Sequence, residues 1–216
     1  MSFEWSQFAP IFLLGFSSLF PLINPIGTAF IIQPYFSELN STAKKKLAFQ
    51  IVIICFVMGF ITLHFGSYVL ELMGVSIPAT QTAGGIVIGI LGFNLLNTET
   101  SSTVNDQTVS NVSNNTFYPL AFPLTLGPGG ISTLIALSAH VHEKDHFFGP
   151  KTTAITLSLL VVLVIAYICF TNTTALVSKI GTNGSQIMSK LMSFLVFCIG
   201  IQMAFTGIMG LIHAAA

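Results

Sequence analysis

FPLINPIG at residues 20–27 and FPLTLGPGG at residues 122–130 both set proline and glycine in the middle of a long apolar run. Aligned on the second proline of each, Asn24-Pro25-Ile26-Gly27 lies over Gly127-Pro128-Gly129-Gly130 at an offset of 103, while the preceding Phe-Pro-Leu matches at 102. Proline removes an N–H and its ring clashes with the preceding turn, and glycine supports non-helical angles, so a helix through either motif breaks near its middle. What such a break means depends on the solvent around it.

Composition names that solvent. Of 216 residues, 53% are hydrophobic and 6% charged, against about 25% charged in soluble domains. So few charges cannot clothe a soluble surface, and seven Lys and Arg against seven Asp and Glu leave no basic face for nucleic acid. The expected surroundings are a lipid bilayer. Six stretches reach the ~20 apolar residues a spanning helix needs: about 8–36, 47–70, 75–97, 117–140, 152–176 and 187–212. All are expected to be helices, since lipid cannot satisfy an open sheet edge. The N-terminal MSFEWSQFAP has no basic n-region or small-residue cleavage site, so the first stretch is expected to remain as a membrane helix.

Between the third and fourth stretches, residues 98–116 (TETSSTVNDQTVSNVSNNT) read as a flexible polar linker. Short connections are expected at 37–46, at 141–151 and at 177–186 around Gly181 and Gly184. Six spans put both termini on one side. Lys44, Lys45, Lys46, Lys179 and Lys190 then face Lys144 and Lys151 across the membrane, and the positive-inside rule places the first group in the cytoplasm and both termini outside.

A second echo joins the third and sixth stretches, where Gly92-Phe93-Asn94 lies over Gly200-Ile201-Gln202 at an offset of 108. Three spans per half is an odd number, so the second half enters the membrane in the opposite sense. The expected fold is an all-α membrane protein: one transmembrane domain of two inverted-topology three-helix repeats, about 1–97 and 117–216, with helices 1 and 4 broken mid-membrane. Broken backbone leaves unpaired N–H and C=O groups, each costing several kcal/mol in lipid, so the breaks must line a wet cavity or lie buried in protein.

One side of a break offers free N–H groups and partial positive charge, the other free carbonyls. A small zwitterion of amino-acid size fits that pair, and no clear mid-helix charge points to a strongly charged substrate. The expected binding residues are Asn24, Pro25, Ile26, Gly27, Gly127, Pro128, Gly129 and Gly130, with the glycines permitting close approach and Asn24 adding a directed hydrogen bond. Thr125, with Thr28, Ser132 and Thr133, flanks the breaks, where hydroxyls either bind substrate or satisfy freed backbone. Asn94 and Gln202 either line the cavity or hydrogen-bond across helices.

Other residues carry less. Cys55, Cys169 and Cys198 lie apart in apolar stretches and read as packing thiols. His64 is a candidate proton carrier or a neutral histidine bonded to a neighbouring helix, and Glu71 reads as a contact with headgroups or water rather than a coupling-ion ligand. His140, His142, His146, Glu143 and Asp145 fall on a connection without metal-ligand spacing. Trp5, Tyr35, Tyr68 and Tyr118 suit the interfacial belt. Nothing calls for a metal or a cofactor. A hydrolase needs a Ser–His or paired-Asp arrangement within the bilayer, and beyond His64 there is no base for it, so no enzyme is expected. A channel needs a continuous ring of ligands, and a non-transporting scaffold remains the alternative to a transporter.

At Asn24-Pro25-Ile26-Gly27 and Gly127-Pro128-Gly129, each preceded by proline-containing apolar sequence, the chain resembles the MarC family of six-helix inner-membrane proteins, itself similar to the LysE-type exporter superfamily. The resemblance covers nearly the whole chain. It implies a bacterial inner-membrane location and transport of neutral amino acids such as glycine or alanine, as export, with the two broken-helix motifs forming the binding site.

Overall fold

A backbone surrounded by lipid must close its own hydrogen bonds, and this chain does so with helices. The computed structural model describes residues 5–37, 39–97, 116–142 and 149–215. In order these form α1 (Trp5–Ile23), α2 (Pro25–Ser37), α3 (Ser41–Leu72), α4 (Ile77–Asn97), an irregular segment Thr116–Thr125, α5 (Pro128–His142), α6 (Pro150–Thr171) and α7 (Thr173–Ala215). Five runs are long and apolar enough to cross a bilayer, the first joining α1 and α2 over Phe8–Ser37; the irregular segment and α5, bent by 61°, make a sixth if counted as one span.

The expected connection at 177–186 is instead helical: α7 is one helix of 43 residues. Glycine weakens a helix interior by only about 1 kcal/mol, so Gly181 and Gly184 do not suffice to end it. At 1.5 Å per residue α7 is about 64 Å long, well beyond a ~30 Å hydrocarbon layer, and its spanning part is Gln186–Ala214. The linker at 98–115 and the loop residues Glu143, Asp145 and His146 lie outside the described residues.

Helix ends follow local chemistry. Asn40 caps α3, its side chain accepting from Ala43 N at 2.8 Å, and Gly149 with Pro150 opens α6. The core forms where α3 and α6 meet the broken runs: Cys55 and Leu63 of α3, Leu159 and Val162 of α6 and Leu134 of α5 are fully buried. Packing exchanges partners between the halves. α1 lies on α6, α2 on α6 and α7, the irregular segment on α3, and α5 on α3 and α4.

The largest contact joins α4 to α7, antiparallel. Gly85 faces Ala204, Gly89 faces Gly200, Gly92 faces Phe197 and Gly207 faces Thr82. A Cβ on Gly85 would come within 2.7 Å of Ala204 Cα, and one on Gly200 within 2.7 Å of Gly89 Cα. Only hydrogen fits there, so the two backbones touch and dispersion between them replaces the missing hydrophobic drive.

Candidate functional site

The first break is a single residue. Asn24 separates α1 from α2 and is the only non-glycine with positive φ among the described residues, at 44°. Asparagine tolerates that left-handed geometry better than most side chains. Its backbone N–H still donates to Phe20 O at 2.9 Å, and its carbonyl starts α2 by accepting from Thr28 N at 2.8 Å. Its side-chain Oδ1 accepts from Gly27 N at 3.2 Å, so Asn24 is the N-cap and Pro25, with no N–H to lose, the first helical residue. A Cβ on Gly27 would fall 2.7 Å from Asn24 Cγ. The asparagine folds back over the helix end only because residue 27 is glycine. Its Nδ2 reaches Met192 Sδ at 3.8 Å.

The second break is wider. Tyr118 (φ −117°, ψ 126°) and Phe122 (φ −126°, ψ 125°) are extended, each preceding a proline that disfavours helical angles. Leu126 N reaches back to Ala121 O at 2.9 Å, and Gly127 O starts α5 by accepting from Ile131 N at 3.1 Å. Gly127 thus holds the cap position that Asn24 holds in the first half, and Pro128 the position of Pro25. Gly127 has no side chain with which to cap the first-turn amides of α5. A Cβ there would sit 2.7 Å from Pro123 O.

The prolines also free carbonyls. With no N–H on Pro25 or Pro128, the Pro21 and Leu124 carbonyls lose their i+4 donors. Other freed groups are satisfied internally: Thr28 Oγ1 donates to Ile23 O at 2.8 Å and Thr125 Oγ1 to Leu120 O at 2.7 Å. Both threonines are nearly fully buried, and of the two roles open to them the backbone one is the one occupied.

The two breaks meet at one cavity. Pro21, Leu22, Asn24 and Thr28 line it from the first, Pro123, Leu124 and Gly127 from the second, with Ile88 and Leu91 of α4 and Val196 and Ile199 of α7 as walls and Ile31 and Leu95 at one end. It holds about 30 Å³, room for about two waters. Pro25 and Gly27 are buried behind Asn24, while Ile26 is 44% exposed. Gly129 packs against Ile88 Cδ1 and Met203 Sδ, and Gly130 against Leu126 Cδ1.

Asn94 and Gln202 are not at the cavity; both stand on exposed helix faces. His64 is buried in α3, its Nδ1 2.9 Å from Phe60 O and its ring stacked on Phe60 with centroids 4.1 Å apart; Glu71 is exposed. The walls Ile88, Leu91, Val196 and Ile199 were missed by motif reading. The signal that finds them is the 108-residue offset: 196 − 88 and 199 − 91 both equal 108.

Comparison with known proteins agrees with this architecture. A description of the MarC family integral membrane protein matches residues 9–212. The inner membrane protein MarC of Salmonella arizonae is 29% identical over 210 residues, covering 92% of this chain and 94% of its own length. That of Escherichia coli O139:H28 is 28% identical over 211 residues, with the same two shares. No solved structure matches the chain. With nearly its whole length matched, and with the NPxG and GPG motifs meeting at one cavity, the chain belongs to the MarC family of integral membrane proteins.

Proposed function

We propose that the protein is a secondary-type transporter of small neutral amino acids of the glycine or alanine kind, an exporter in a bacterial inner membrane, working by alternating access of two inverted repeats. One observation carries the reading: ten of the thirteen residues that line the cavity come in pairs at the offsets of the sequence echoes. Pro21 pairs with Pro123 and Leu22 with Leu124 at 102, Asn24 with Gly127 at 103, and Ile88 with Val196 and Leu91 with Ile199 at 108. A cavity walled this way sits on the pseudo-two-fold axis that would relate the halves, where inverted-repeat transporters hold their substrates.

The chemistry fits a zwitterion. The uncapped start of α5 offers first-turn N–H groups to a carboxylate. The freed carbonyls of Pro21 and Leu124 suit an ammonium, and Asn24 Nδ2, now against a weak sulfur acceptor, is available to a carboxylate oxygen. In this reading Asn24, Pro25, Ile26, Gly27, Gly127, Pro128, Gly129 and Gly130 form the site, Ile26 through its backbone alone since its side chain is exposed; Thr125 shapes it, and the close apolar walls restrict it to small side chains. The Lys44–Lys46 end faces the cytoplasm and both termini the periplasm.

The test is counterflow of labelled glycine or alanine in proteoliposomes, comparing the wild type with folded Asn24→Ala and Gly129→Val. Saturable counterflow in the wild type alone supports the transporter and its site. If folded wild type moves neither solute above empty liposomes, that substrate class is wrong, and a non-transporting scaffold or another solute takes its place.

A further inference from the structure

The α4–α7 pair has a buried face toward the cavity and an outer face with none of the described residues against it. On α7 the outer face carries Cys198, Gln202, Phe205 and Met209, all exposed and spaced four, three and four residues apart, which aligns them along one side of a helix. Asn94 stands on the exposed side of α4.

The depth of Gln202 follows from the seam. α4 has 21 residues, about 31 Å of helix against a ~30 Å hydrocarbon layer, so its middle, near residue 87, lies close to the midplane. Gly200 faces Gly89 and Ala204 faces Gly85, which puts Gln202 level with that middle. Its backbone carbonyl accepts from Thr206 Oγ1 at 2.9 Å, while its side-chain amide bonds to none of the described residues. An amide here has two N–H donors and an acceptor oxygen, and lipid tails offer partners for none of them.

We infer that the outer face of α4 and α7 docks a second copy of this chain, with Gln202 hydrogen-bonded to its own counterpart at the middle of the bilayer. The occupant follows from symmetry. Two copies inserted in the same sense and paired through the same face are related by a two-fold axis along the membrane normal, which sets residues near the axis opposite themselves at equal depth. Glutamine is self-complementary in that arrangement, because it donates and accepts with one side chain. Lipid would leave the amide unsatisfied, and a different protein would need a matching polar group at the same depth. The glycine seam makes α4 and α7 one flat unit, and the aliphatic and aromatic side chains around Gln202 supply the packing that interhelical amide bonds accompany in membranes.

Cys198, one turn from Gln202 on the same face, is a built-in reporter. With Cys55 and Cys169 replaced by alanine, a short bis-thiol crosslinker added to native membranes is expected to give a covalent dimer that Cys198→Ala abolishes. Gln202→Leu removes only the amide and suits lipid better, so the monomer should fold normally while its dimer dissociation constant in liposomes rises about tenfold, read by single-molecule photobleaching. Val57, 49% exposed on α3, is the control: Val57→Cys without Cys198 should not crosslink. Single-step photobleaching with no Cys198 crosslink overturns the inference. So does a dimer that crosslinks through Val57→Cys, or one whose affinity Gln202→Leu leaves unchanged. None of these readings requires transport, so this surface and the proposed substrate stand or fall separately.

Discussion

The two breaks start from one plan and finish differently. In each, proline opens a half-helix and the residue before it supplies the first intrahelical acceptor: Asn24 O to Thr28 N at 2.8 Å, Gly127 O to Ile131 N at 3.1 Å. In the first half the starting residue also caps the helix with its own side chain, and α1 and α2 still run as one span. In the second the starting residue has no side chain and the run bends by 61°. The difference has a steric cause: a Cβ at 127 would strike the Pro123 carbonyl. Two stretches of like sequence can therefore share a backbone design while the end at Asn24 is capped by its own side chain and the end at Gly127 is not.

The largest effect is expected where the same position takes opposite demands. Gly129 corresponds to Ile26 at 103, yet Ile26 points outward and Gly129 has Ile88 Cδ1 where its Cβ would be. Gly129→Val should drive α5 away from α4 and α7 and reduce counterflow to the level of empty liposomes, whereas Ile26→Ala should keep near-normal flux. Equal loss in both, in protein of equal folded yield, would dissolve the comparison.

Next come the cap residues themselves. Asn24→Ala should lower stability by about 1–2 kcal/mol, since it loses the cap and puts at positive φ a residue that tolerates it less well than asparagine, while Asn24→Gly should cost only a few tenths. Both lose the amide, so both should weaken substrate binding alike. Gly127→Asn should not restore symmetry but should destabilise by about 1–3 kcal/mol through overpacking against Pro123. Thermal unfolding in detergent beside KM from counterflow separates the two effects.

Much of this was legible. The two breaks show in sequence because proline and glycine cluster there, and the missing N–H and fixed φ of proline are covalent facts readable from sequence. The Asn24 cap has its own signal, an asparagine immediately before proline and three residues before glycine. The glycine seam was also present as Gly85, Gly89 and Gly92 at helical spacing, and it fixes what the amide echo could not. Asn94 and Gln202 each follow a seam glycine by two residues, about 200° around a helix, so they face away from the seam. Residues 177–186 resemble a connection in sequence because two glycines look like a stop, whereas α7 runs through them. The wall residues Ile88 and Val196 had no chemistry to advertise them, only their offset.

The cavity is lopsided. Thr28, Ile31 and Leu95 line it, but the residues at offsets of 103 and 108 from them, Ile131, Leu134 and Met203, do not, and Leu134 is fully buried. The space thus extends toward the end where α2 and α4 finish, beside Lys44–Lys46. Alternating access predicts a second state with the pattern reversed. With the native cysteines removed, Ile31→Cys should react with a thiol reagent added at the Lys44 side. Leu134→Cys should react from the opposite side, at about 0.1–10% of that rate, as for a minor state, and faster under turnover. Labelling of Leu134→Cys from the same side as Ile31→Cys would show a fixed pore.

The smallest effect tests equivalence where no substrate is involved. Ser158 Oγ of α6 lies 2.8 Å from the Phe12 carbonyl of α1, and Cys55 Sγ of α3 lies 3.6 Å from the Ala121 carbonyl before the second break; 158 − 55 is 103, the offset of the motifs. Each ties a broken run to the unbroken helix of the other half. Interhelical bonds of this kind average about 0.6 kcal/mol in membranes, and sulfur is the weaker donor, so Ser158→Ala should cost about that much and Cys55→Ala less on this account, apart from a cavity cost for the lost sulfur. Cys55→Ser should come close to neutral, because a hydroxyl at 55 gains the stronger bond that its counterpart at 158 already makes. If Cys55→Ser instead costs as much as Cys55→Ala, the thiol is held by packing alone, and the two tethers are alike in position but not in physics.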